Sequence, residues 1–161
     1  FDCDTDHSCN RRATEGEIEF ECARLWGDRR DAYDKRWVIF TGGEPAMHLD
    51  RNLIRHFRSK GWKCAVETNG SLRLPPGLDW ITVSPRRQVQ TVVRLVDEVK
   101  CVVAADGELP EPTCLAAYYL LSPAFKGLEP DPAAIARCVQ LVKDNPKWRL
   151  TIQFHKLLNI R

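Results

Sequence analysis

Six short apolar runs, each bounded by polar or turn-forming residues, constrain this chain more than any other feature. Trp37-Val38-Ile39-Phe40 is the clearest of them. It shows none of the alternation of a half-solvated strand, so it predicts a strand buried on both faces. Further strand-like stretches fall at 63–67, at Trp80-Ile81-Thr82-Val83 behind the turn Leu74-Pro75-Pro76-Gly77, at 98–103, at 118–121 and at 148–154. They are too short for helices and too far apart for hairpins. Short buried strands joined by crossovers are parallel, with right-handed connections.

Helical signals lie between some of these runs. Thr14-Glu15-Gly16-Glu17 has capping-box spacing, and Ile18, Cys22, Leu25 and Trp26 follow on a helical period that Gly27 ends. Residues 28–36 read as a charged surface loop. Leu49, Leu53, Ile54 and Phe57 repeat the period, with Gly61 as the stop. Asp131-Pro132 is an N-cap and first-position pair opening a helix with Ile135, Cys138 and Leu141 or Val142 on one face. Other crossovers are too short for a full helix. The fold class is therefore α/β: a partial, open, parallel-stranded barrel with a reduced helical layer. With 161 residues, 43% of them hydrophobic, the chain can bury one core, and it reads as a single domain over 1–161.

A net charge of +2 gives no argument for direct nucleic-acid contact or for an acidic membrane surface. The longest apolar run, 115–121, is far too short to cross a bilayer. Seven cysteines in a chain of this length do not read as a disulfide framework. Cys64, Cys101, Cys114 and Cys138 read as small buried hydrophobes in a reducing cytoplasm. Cys3 and Cys9 differ, lying in a polar stretch.

In parallel α/β folds, ligands bind at the carboxyl ends of the strands. There this chain places Thr41-Gly42-Gly43-Glu44-Pro45, Glu67-Thr68-Asn69-Gly70, Ser84-Pro85-Arg86, Ser122-Pro123 and His155. Two glycines after a strand let backbone N–H groups approach a ligand, and the carboxylate beside them suits an ammonium, as in an amino acid. The same loop also reads as a plain strand-to-helix turn. His155 reads as an acid–base or hydrogen-bonding group or as a structural histidine. Arg86 reads as an anion clamp or a solvated side chain. Cys3 could be a metal thiolate, a nucleophile or an inert thiol. Asp4, Thr5 and Asp6 offer hard oxygens suited to magnesium, or form a solvated turn. Cys3, His7, Cys9 and Cys22 compose an irregular zinc alternative without a CxxC pair.

Taken together, CDTD, FTGGEP, ETNGS, ITVSP, DEVK and the ending WRLTIQFHKLLNIR occur in one order and span nearly the whole chain. The set resembles the 7-carboxy-7-deazaguanine synthase family of radical S-adenosylmethionine enzymes. GGEP alone would point only to the superfamily; the QxHK ending narrows it. The resemblance implies a radical-enzyme core over 1–161 that lacks its N-terminal segment, and a [4Fe-4S] cluster to which Cys3 supplies the third thiolate, its CxxC partner standing just before Phe1. The polypeptide by itself is accordingly expected to be inactive, and to be complete at Arg161. The fourth iron is left to S-adenosylmethionine.

Position by position, the resemblance implies Mg2+ on Thr5. Asp2, Cys3, Asp4, Gly42, Gly43, Glu44, Ser84, Pro85, Arg86, Ser122, Pro123, Ala124 and Phe125 fall around S-adenosylmethionine, while Thr41, Glu67, His155 and Arg161 fall around a pterin. Glu44 and His155 are the residues it makes catalytic, as positioners of cofactor and substrate. The implied reaction converts 6-carboxy-5,6,7,8-tetrahydropterin to 7-carboxy-7-deazaguanine with loss of ammonia, in queuosine biosynthesis. A flavodoxin-like or other electron donor and a homodimer are implied as well. Arg86 replaces a usual lysine, and Ser122-Pro123-Ala124-Phe125 stands where the family often has Gln-Pro-Met-Asp. Other readings are a different radical enzyme, such as an activase, and an inactive fragment or binding module.

Overall fold

The computed structural model describes residues 12–29, 32, 35–86, 89–127 and 129–158. Strands β1 (Trp37–Phe40), β2 (Lys63–Thr68), β3 (Trp80–Val83), β4 (Leu95–Val103) and β5 (Leu115–Pro123) follow one another along the chain. A hairpin of β6 (Phe125–Lys126) and β7 (Glu129–Pro130) comes next, and β8 (Trp148–Leu150) is last. The sheet runs β1-β2-β3-β4-β5-β8, parallel throughout and not closed on itself. Helices α1 (Glu15–Trp26), α2 (Arg51–Ser59), α3 (Pro132–Asp144) and the one-turn α4 (Phe154–Leu157) complete the order, with a 3-10 turn at Pro45–Met47. Among the described residues no helix fills the β2–β3, β3–β4 or β4–β5 crossover, so the helical layer is reduced as the short crossovers predict.

Local chemistry explains the boundaries. Thr14 and Glu17 form the reciprocal capping box, and Gly27 leaves α1 at φ 72°. Asp50 caps α2 through the Leu53 N–H. Asp131 caps α3 ahead of Pro132. The helices cover one face of the sheet. Under α1 and α2, Ile54 and Phe57 are 1% and 0% exposed and pack on Cys64 and Val66; burying each contributes about 1.5–3 kcal/mol. Phe40, Phe57, Trp62 and Trp26 continue that core edge to face at 5.6–6.0 Å. Under α3, Val99, Cys101, Leu121, Cys138 and Leu141 form the second cluster with Tyr119 and Trp148. Cys64, Cys101, Cys114 and Cys138 are buried, as their apolar settings predict.

Two expectations are corrected. β1 is not buried on both faces: Trp37 and Ile39 are 39% and 55% exposed, because among the described residues only the Val38/Phe40 side of β1 meets helices. The last strand stops at Leu150, not Phe154. Residues 151–153 lie outside the ladder, and the chain then turns into α4, so His155 sits on a helical turn.

Candidate functional site

The face of the sheet away from the helices is polar where a parallel sheet is ordinarily aliphatic. Register puts Glu67, Thr82 and Glu98 on one rung across β2, β3 and β4. Lys100 lies two residues further along β4, with Ser122 on the neighbouring strand opposite Val102. Contacts tie the set together. Lys100 Nζ donates to Glu67 Oε2 at 2.9 Å, and Thr82 Oγ1 donates to Glu98 Oε1 at 3.2 Å. Trp80 stacks on Tyr118 at 5.8 Å, with the Arg149 guanidinium 5.0 Å from the Tyr118 ring on the other side of the set.

Above this floor is a cavity of ≈ 290 Å³ lined by Glu67, Glu98, Lys100, Ser122, Gln153 and Phe154 among others. Two of its polar atoms are buried without a partner among the described residues, Ser122 Oγ and Gln153 Oε1. Orphaned buried polar atoms cost free energy unless something else satisfies them, so both mark a place for a ligand or water. A larger polar hollow of ≈ 460 Å³, bounded by Glu15, Asn52, Arg55, His56 and Ser59, holds none of the candidate residues.

The TGGEP loop forms the adjoining wall. Gly42 and Gly43 sit at φ 88° and 56°, where a side chain would strain the turn. Glu44 accepts from Ala46 N (3.1 Å) and Thr68 Oγ1 (2.5 Å) on one oxygen and from Asn69 N (2.8 Å) on the other. Its carboxylate is thus bolted to the end of β2, one residue from Glu67. A carboxylate has about four acceptor positions, so one remains for a ligand ammonium. Ser84 N donates to Thr68 O at 2.8 Å, holding the third strand end to the second. At the β5 end, Pro123 and Ala124 are buried and Phe125 is half-buried in β6. Lys126 bonded to Asp131, helped by the Ala133 N–H, holds the Asp131 carboxyl below the usual range. Arg86 is exposed.

The structure therefore groups Glu44 with Thr68 and Ser84, and brings Glu67 and Ser122 into one cavity. Thr41 is exposed at the end of β1, and Phe154, the residue before His155, lines the cavity. Asp2, Cys3, Asp4, Thr5, His7, Cys9 and Arg161 lie outside the described residues. Among the described residues no three His, Cys, Asp or Glu side chains converge on a metal position. Sequence reasoning assigned nothing to Glu98, Lys100, Thr82 or Gln153. Charged residues inside otherwise apolar strand runs, as in DEVKCVV and WRLTIQF, were the available signal.

An open, all-parallel sheet carrying its polar groups on the uncovered face defines an open α/β barrel, and comparison with known proteins places it in the radical S-adenosylmethionine class. A crystal structure of QueE from Escherichia coli superposes at TM-score 0.62 over 88% of this chain and 64% of that one, at 22% identity, which shows the shared fold. No family model matches. Curated relatives all named 7-carboxy-7-deazaguanine synthase do. The one from Nitratidesulfovibrio vulgaris is 42% identical over 131 residues (77% of this chain, 59% of the relative), and that from Bordetella pertussis 38% over 143 (86% and 64%). The one from Bacteroides thetaiotaomicron is 36% identical over 160 residues, 99% of this chain and 80% of the relative. The chain belongs to the 7-carboxy-7-deazaguanine synthase family. It spans 59% and 64% of the length of the first two relatives.

Proposed function

We propose that this chain carries the catalytic sheet of a 7-carboxy-7-deazaguanine synthase, converting 6-carboxy-5,6,7,8-tetrahydropterin to 7-carboxy-7-deazaguanine with loss of ammonia. The observation that carries the reading is a 36%-identical match to a synthase running through 99% of the chain, over a sheet whose open face holds a polar cavity. The residues present fit the cofactor. Gly42 and Gly43 leave a loop that an amino-acid moiety can approach, Glu44 keeps an acceptor position for its ammonium, and the unpartnered Ser122 hydroxyl awaits a hydrogen bond. Cys3 is the thiolate this chain offers a [4Fe-4S] cluster, Thr5 the oxygen it offers magnesium. Asp2, Asp4, Ser84, Pro85, Arg86, Pro123, Ala124 and Phe125 complete the cofactor side in this reading.

When bound, the reduced cluster and S-adenosylmethionine supply a 5′-deoxyadenosyl radical for hydrogen abstraction. The protein's share is orientation and shielding. Glu67 accepts an N–H of the pterin, and Thr41, His155 and Arg161 fix its other edges. The electron donor is read as flavodoxin-like or another small redox protein, and the enzyme as a homodimer.

The test is anaerobic turnover of the carboxypterin by the protein expressed with whatever coding sequence precedes Phe1. Glu44→Gln replaces one acceptor oxygen by an N–H donor facing Thr68 or Asn69, so it is expected to weaken S-adenosylmethionine binding by ~10-fold or more. Wild-type protein without turnover of the carboxypterin would sink the reading, and a fully active Glu44→Gln would sink the role given to Glu44.

A further inference from the structure

The middle of a parallel sheet is where a lysine is least expected, because an ammonium withdrawn from water needs strong compensation. Lys100 occupies β4, with three strands on one side and two on the other. Its ammonium reaches across β3 to Glu67 on β2. The Lys100 side chain is the more covered partner, 23% exposed against 42% for Glu67. It lies under the carboxylate, not over it. A Lys–Glu pair on an ordinary surface contributes little. This one lines the cavity that also holds the orphaned Ser122 Oγ and Gln153 Oε1.

The bonding divides the Glu67 carboxylate into two oxygens with different tasks. Oε2 is engaged by Lys100, while Oε1 has no partner among the described residues. The second carboxylate of the cavity, Glu98, is split in the same way: Thr82 engages Oε1, and Oε2 has no partner among the described residues. A free glutamate has three torsions to immobilise when a ligand arrives. A tethered one has lost that freedom beforehand, so less affinity is given up on binding.

We infer that Lys100 is a positioning residue that holds Glu67 Oε2 so that Oε1 meets the N–H edge of the heterocycle in the cavity. This rests on the proposed function, since the heterocycle is the carboxypterin. Lys100 touches no reacting atom; it acts through Glu67. Its loss is therefore expected to fall on substrate binding and not on the chemical step.

The experiment measures KM and kcat, together with equilibrium Kd for the carboxypterin by isothermal titration calorimetry, on anaerobically reconstituted protein expressed with whatever coding sequence precedes Phe1. Lys100→Met keeps the stem and removes the ammonium. KM and Kd are expected to rise ~10- to 100-fold with kcat within ~3-fold, as for loss of a charge-assisted hydrogen bond in uniform binding. Lys100→Arg keeps charge and reach and is expected to recover to within ~5-fold. In a Glu67→Gln background, Lys100→Met should add little further, which a purely structural role would not produce. Unchanged KM and Kd in a folded Lys100→Met, a fall in kcat alone, or additivity with Glu67→Gln each overturns the inference. Should Lys100→Met not fold, Lys100→Gln, which keeps a polar tip but loses the charge and falls short of Glu67, decides in its place by the same criteria. Wild-type protein that binds the carboxypterin without turning it over defeats the proposed reaction while Kd still judges Lys100. Wild-type protein that does neither defeats both.

Discussion

Gly70 shows how tightly single positions are specified at the strand ends. It sits at φ 77°, and a Cβ there would lie 2.8 Å from Thr91 Cγ2 and 3.0 Å from Val83 Cγ1. Its N–H also donates to Thr68 Oγ1, the hydroxyl that in turn donates to Glu44. Gly70→Ala combines a left-handed backbone penalty with overpacking and is expected to destabilise by about 2–4 kcal/mol, read from urea unfolding. A change below about 1 kcal/mol would mean that the turn relaxes more easily than its contacts indicate. The TGGEP glycines were legible in the sequence as a turn behind an apolar run, open between a ligand loop and a plain strand-to-helix connection. The bonds from Thr68 and Asn69 to Glu44 were not. They join two loops about 25 residues apart, and nothing in the local pattern of either loop records the other.

Among the elements, β2 and β3 are joined by a long helix-free connection, and Asp79 does much of the joining. Its carboxylate accepts from Cys64 N at 2.9 Å and from Arg58 Nη1 at 2.5 Å, linking the entrance of β3 to β2 and to α2. Burial works against the charge. The Cys64 N–H and the Arg58 guanidinium outweigh it and hold the carboxyl below the usual range. A depressed carboxylate stabilises the fold at pH above its unfolded value and loses that contribution as pH falls through the folded one. Asp79→Asn is therefore expected to cost about 1–2 kcal/mol at neutral pH, and the difference from wild type should shrink as both are acidified below pH ~4. Parallel stability curves down to low pH would contradict this account. Most element positions were legible, since capping pairs and apolar runs are local signals. The two misplaced features share a cause. Whether Trp37 and Ile39 are covered depends on what packs against that side of β1, and among the described residues nothing does. Whether 151–154 continues as strand depends on the partner it would pair with. Lys100 and its pairing with Glu67 were hidden for the same reason, the meeting being a consequence of register across β3.

On the scale of the whole molecule, the helix-covered face is dry and the opposite face is not, and the thiols report the division. Burial pushes Cys101 up to about 12, and burial with the Asp79 charge pushes Cys64 up to about 11. Burial raises Cys114 and Cys138 as well. Iodoacetamide at pH 8 is expected to leave Cys64, Cys101, Cys114 and Cys138 unlabelled in native protein and to modify all four in urea, followed by peptide mass spectrometry. Rapid labelling of Cys101 without denaturant would show that the α3 layer opens readily.

The strand order has a further consequence, for the route by which the molecule is made. Each strand of β1-β2-β3-β4-β5-β8 pairs with the sheet strand immediately before it in the chain, so no later segment has to wedge between two that have already met. Each addition closes one modest loop, where a doubly wound sheet must wait for its central strands. Assembly can thus keep pace with synthesis from the amino-terminal side. Residues 151–154, which follow β8, line the cavity beside Lys100 and Ser122, so that wall of the binding site is made only after all six strands have been.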